Sequence, residues 1–127
     1  MKVLLVDDSK TIRMILRNLL WELGIDHVTE AADGLEALEA LASERFDLVL
    51  MDLHMPEKSG MSVLEEMKAE GSVHKDTPVV IVSSDSDYHS IEGARNLGAL
   101  GYIKKPFKKE ALRTAIGVAA GNLEEPV

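Results

Sequence analysis

Five short apolar runs, each followed by a stretch of helical period, constrain this chain more than any other feature of it. The runs Lys2–Val6, His27–Ala31, Leu48–Met51, Val79–Val82 and Gly101–Ile103 predict strands. Several are unbroken Val, Leu and Ile, without the polar alternation of a half-solvated strand, so both faces must be covered, as in a parallel sheet. Between them lie helical stripes. Ile12, Ile15, Leu16, Leu19 and Leu23 form the first, and Leu35, Leu38 and Leu41 the second. Val63, Leu64 and Met67 form the third, Ile91, Ala94 and Leu97 the fourth, and Leu112, Ile116 and Ala119 the fifth. Asp33 before Gly34 predicts a helix N-cap, and Gly24 closes the first helix.

Strand then helix, five times over, predicts an α/β, flavodoxin-like (βα)5 fold. Its sheet is a doubly wound, five-stranded parallel one of order 2-1-3-4-5. At 127 residues there is room for one domain, with no linker or repeat; we assign residues 1–121 to it and residues 122–127 to a short C-terminal tail. In such a sheet ligands bind beyond the carboxyl ends of the strands, where the strand order reverses. Strands 1 and 3 are neighbours there. Asp7 and Asp8 end the first, in VLLVDDS, and Asp52 ends the third, in LVLMDLHMP. Ser83 follows strand 4 and Lys105 follows strand 5. Each alone is bland, an acid after a strand being most often a turn former or cap. All five in this order place three acids, a hydroxyl and an ammonium on one rim.

Three clustered carboxylates repel one another unless a cation neutralises them. A hard divalent ion such as Mg²⁺ suits oxygen ligands of this kind. One carboxylate can then act as a nucleophile toward phosphorus, with the cation and Lys105 offsetting the charge of the transferring group. Ser83 can donate to a phosphoryl oxygen.

Composition narrows the partners. Twenty-two acidic residues against 14 basic ones, a net charge of −8, argue against nucleic acid and anionic membrane. The absence of cysteine excludes disulfides and thiolate chemistry. No apolar stretch has the length of a membrane span, and the expected location is cytoplasmic. His27, His54, His74 and His89 are too widely spaced for a metal site, and a surface or turn role is expected for each.

VDDS, DLVLMDLHMP, PVVIVSS and GYIKKPF together resemble the receiver domain of two-component response regulators, over essentially the whole chain. The helix TIRMILRNLLWELG is most similar to that of single-domain chemotaxis-type regulators. The resemblance implies that Asp52 is the phosphoacceptor and that Asp8 binds Mg²⁺ directly, Asp7 through water, with the backbone carbonyl of His54 as a further ligand. It implies that Ser83 is the switch hydroxyl, Tyr102 the switch aromatic and Lys105 the phosphate-binding lysine, followed by a cis Lys105–Pro106 bond. His54 and Asp85 occupy positions that tune phosphoryl lifetime in the family, and an acid at Asp85 gives the expectation of a short lifetime.

The implied partner is a histidine kinase or histidine phosphotransfer protein. Taking about 100° per residue, Met14 and Trp21 fall opposite the buried stripe of the first helix, and that face is the candidate contact. The fourth helix, weakened by Ser90, Gly93, Asn96 and Gly98, is the element a small energy input would shift. The expected output is therefore the surface of helix 4, strand 5 and helix 5, on a monomer or a weak phosphorylation-dependent dimer. The chain is expected to be a stand-alone signalling module rather than a turnover enzyme. A phosphorelay intermediate and a receiver belonging to a longer regulator are the alternatives. An aspartyl-nucleophile phosphohydrolase is a remote one, since Asp7 and Asp8 are adjacent where such enzymes carry Asp-x-Asp.

Overall fold

The computed structural model describes residues 1–121; the tail assigned to residues 122–127 lies outside the described residues. Five strands and five helices alternate without exception: β1 (Lys2–Val6), α1 (Lys10–Glu22), β2 (His27–Ala31), α2 (Gly34–Ser43), β3 (Leu48–Met51), α3 (Gly60–Met67), β4 (Val79–Ser83), α4 (Tyr88–Asn96), β5 (Gly101–Lys104) and α5 (Lys109–Ala119). All pairings are parallel and the sheet order is β2-β1-β3-β4-β5, as expected.

The central strands carry apolar residues at every position because each face meets helices. Leu4, Val6, Val49, Met51, Val79 and Ile81 pack with Ala37 and Leu41 of α2, Val63, Leu64 and Met67 of α3 and Ala94 of α4. Val3, Leu5, Leu48, Leu50, Val80 and Val82 point the other way, onto Leu16 and Leu20 of α1 and Leu112 and Ala115 of α5. Burying each such side chain contributes about 1.5–3 kcal/mol, so the three inner strands form the stiffest part of the molecule.

Chain reversal decides the rest. The edge strand β2 is half-exposed, and its Glu30 accepts from Arg13 and Arg17 of α1, both at 2.9 Å. Asp33 caps α2 by accepting from the Glu36 N–H, and Gly24, at φ +89°, follows the end of α1 as predicted.

Four expectations need correction. Strands β4 and β5 each run one residue further than predicted, because Ser83 pairs with Lys104. On α1, Leu20 is buried and Ile15 is exposed; Ile15 lies about 100° from Leu16 and falls outside the arc that faces the sheet. On α2 the buried residues are Gly34, Ala37 and Leu41, while Leu35 is exposed, one residue (about 100°) round the helix from Gly34. His74 sits in a turn, one of the two expected roles, but not at the surface: its ring is buried against the Leu41 carbonyl at 2.7 Å, tying the segment after α3 to the last turn of α2.

Candidate functional site

The strand ends converge because the register makes them. Val6 pairs with Met51, so Asp7 and Asp52 leave adjacent strands side by side. The Asp52 N–H donates to the Val6 carbonyl at 2.9 Å and the Asp7 N–H to Ala31 at 3.1 Å, extending both ladders by one rung. Both acids are therefore held by sheet backbone, and both are buried, Asp7 to 2% and Asp52 to 9% exposure. Asp8, beyond the last rung, is exposed. Carboxylate oxygens of Asp7, Asp8 and Asp52 lie within 4.8 Å of one another, a spacing at which one cation can touch all three. Among the described residues this is the one such cluster.

Lys105 closes the crevice. Its ammonium lies 2.6 Å from Asp7 Oδ2 and 3.2 Å from Asp52 Oδ2. Burial works against that charge, but the two carboxylates outweigh it and hold the ammonium above its ordinary value. The backbone N–H of Lys105 donates to the Ser83 carbonyl at 2.9 Å, and the Lys105–Pro106 bond is cis. Ser83, fully buried at the end of β4, accepts from the Asp85 N–H at 3.2 Å through its hydroxyl. Tyr102 on β5 donates to the Asp85 carbonyl at 2.6 Å. Burial pushes the Tyr102 hydroxyl up; Ser83 works against this and the nearby Asp85 and Asp52 charges reinforce it, so the group remains a protonated donor.

Three contacts had no signal in the sequence. Arg13 reaches from α1 to the Asp7 carbonyl at 2.6 Å and so braces the acidic loop. The cap of α1 is Ser9 Oγ, which accepts from Ile12, leaving the Asp8 carboxylate free of that duty. His54 Nε2 lies 2.7 Å from Asp85 Oδ2, joining the two positions that the sequence marks separately.

An open parallel sheet with an acidic, lysine-bridged crevice at its β1/β3 switch point defines a class of α/β domain built to handle a hard cation and an anionic group together. The comparisons make the class specific. The response regulator receiver domain family matches residues 3–117, and the chain belongs to that family. It is 39% identical over 113 residues to the chemotaxis protein CheY-3 of Vibrio cholerae, covering 89% of this chain and 86% of that one. It is 38% identical over 116 residues to the chemotaxis protein CheY of Pseudomonas aeruginosa, covering 91% and 93%. The receiver domain of a Pseudomonas aeruginosa sensor histidine kinase, solved with a magnesium ion coordinated in its active-site cleft, superimposes with a TM-score of 0.84 at 28% identity, over 94% of this chain and 97% of that one.

Proposed function

We propose that this receiver takes a phosphoryl group from a partner phosphohistidine onto Asp52, in a Mg²⁺-dependent reaction, and alters a protein-binding surface in response. The observation that carries the proposal is the Asp7–Lys105–Asp52 arrangement: a buried carboxylate fixed by a strand end, with a cation already beside it. An Asp52 oxygen attacks phosphorus, the bond from phosphorus to the donor imidazole nitrogen breaks, and its electron pair leaves with the imidazole. Lys105 offsets charge on the phosphoryl oxygens, and Ser83 donates to one of them. Mg²⁺, when bound, would neutralise the remaining charge; Asp7, Asp8, Asp52 and the His54 carbonyl would hold it. The three carboxylates fit that role because they are close, oxygen-only and open to solvent on the Asp8 side.

The similarity to chemotaxis proteins favours a chemotaxis-type pathway, with a histidine kinase or phosphotransfer protein as donor. Met14 and Trp21, 55% and 70% exposed, share one face of α1, the helix that starts at the rim, and are its proposed contact. Among the described residues no helix is long and apolar enough to cross a membrane. The reaction is self-modification followed by slow hydrolysis, which makes the chain a switch rather than a turnover enzyme.

Acetyl phosphate with Mg²⁺ should add one phosphoryl group, seen by intact mass. Asp52→Asn should remove it, and EDTA should suppress it. A mass gain that survives in Asp52→Asn would refute the assignment. Trp21→Ala with Met14→Ala should slow transfer from a phosphorylated donor protein while leaving the acetyl phosphate rate alone; equal slowing of both would refute the docking face.

A further inference from the structure

Asp85 is the most connected residue of the crevice mouth. Its Oδ2 is shared by the His54 ring, at 2.7 Å, and the Ser90 hydroxyl, at 2.8 Å. Its Oδ1 accepts from the Asp87 N–H at 2.8 Å. Its backbone binds Ser83 Oγ through the N–H and the Tyr102 hydroxyl through the carbonyl. Five groups from β4, β5, the loop after β3, the loop before α4 and the first turn of α4 thus meet on one residue. Of these ties only the one to His54 crosses the mouth of the crevice, from the acceptor's own loop to the β4–α4 loop. It is open to solvent on the histidine side, the His54 side chain being 67% accessible against 18% for Asp85.

Resting on the receiver reading, we propose that the His54–Asp85 contact is a latch: it holds the β4–α4 loop and the first turn of α4 in the unphosphorylated arrangement, and its release is part of the switch. The element it restrains is poorly anchored. α4 buries only Ala94 among its own residues, so little packing energy opposes a shift. A phosphoryl group on Asp52 brings roughly two negative charges to a position two residues from His54 and opposes the Asp85 carboxylate. It also takes the Ser83 O–H as a donor, drawing inward the hydroxyl oxygen that now accepts from the Asp85 N–H and so pulling on the same loop. Both effects act on the residue that carries the latch, the first on the Asp85 carboxylate and the second on its backbone N–H.

A ligand that favours the released arrangement binds more tightly when the restraint is removed, by the factor the restraint contributed. Beryllofluoride with Mg²⁺ serves as the probe, titrated against wild type, His54→Ala, His54→Gln and Asp85→Asn and followed by amide chemical shifts. A single hydrogen bond of this kind corresponds to a factor of about three to ten, so the midpoint should fall by that factor in His54→Ala and Asp85→Asn. Before any ligand is added, the amide signals of residues 84–96 in both variants should already lie displaced toward their positions in the bound wild type. His54→Gln, which keeps a side-chain N–H donor, should return both readouts toward wild type. A purely structural role would lower stability without moving the signals along that line. An unchanged or raised midpoint in His54→Ala, with wild type responding normally, overturns the latch alone. No response in wild type overturns the phosphoacceptor function proposed above and the latch with it.

Discussion

Gly60 is where α3 and the acceptor strand touch, and a single methyl group there tests how the fold positions Asp52. A Cβ at Gly60 would lie 2.0 Å from the Asp52 carbonyl oxygen, 2.9 Å from its carbonyl carbon and 3.0 Å from the Leu53 Cα. All three are backbone atoms, so no rotamer change relieves the overlap. Packing separations are about 3.5 Å, so the two segments must part by roughly 1.5 Å. Overpacking costs about 1–3 kcal/mol. Weakening the 2.9 Å bond from the Gly60 N–H to the Leu53 carbonyl adds about 1 kcal/mol. Gly60→Ala should therefore lose about 2–4 kcal/mol, and with a mid-range urea slope of about 2 kcal/mol/M the midpoint should fall by about 1–2 M. Displacing a reacting group by about 1 Å costs on the order of 100-fold in rate, and acetyl phosphate-driven phosphorylation should slow by that order. Gly71→Ala is the control: nothing lies within 4 Å of its Cβ, and its φ of +83° predicts only the backbone cost of about 1 kcal/mol. A Gly60→Ala protein that matches Gly71→Ala in both midpoint and phosphorylation rate would show that the close approach does not position the acceptor.

Other perturbations address separate parts of the molecule. Lys105→Met leaves Asp7 and Asp52 buried without their ammonium; it should cost about 3 kcal/mol in EDTA and less with Mg²⁺, by denaturation in each buffer. Glu57, at φ +66°, is the one non-glycine among the described residues in the left-handed region, and Glu57→Gly should raise stability by about 1 kcal/mol in the same assay. Asp85 is held at about 2, below its ordinary 3.8, by the His54 ring first and by the Asp87 N–H and Ser90 hydroxyl after it. Because the folded value is depressed, its contribution to stability is complete above the ordinary value and is lost as pH falls through about 2. Carboxyl NMR titration should show that low value in wild type and a return toward 3.8 in His54→Ala.

The alternation of apolar runs and helical stripes determined the fold class, because both periods are local consequences of backbone geometry. The same logic located Asp7, Asp8, Asp52, Ser83 and Lys105, since in a parallel sheet whatever follows each strand is delivered to one edge. The sequence was less informative where an arc had to be chosen within a helix. Ile15 and Leu20 are equally apolar, and only the contact of α1 with β1 and β3 selects Leu20. It was silent where side chains from separate loops meet. Nothing in the spacing of His54, Asp85 and Ser90 shows that one carboxylate oxygen serves both of the others, nor that Arg13 braces Asp7. Those contacts depend on how far each loop travels after its strand ends, and that distance is decided by packing. So the sequence by itself determined the sheet, its order and the chemistry on its rim. The tertiary structure decided how that chemistry is connected to α4.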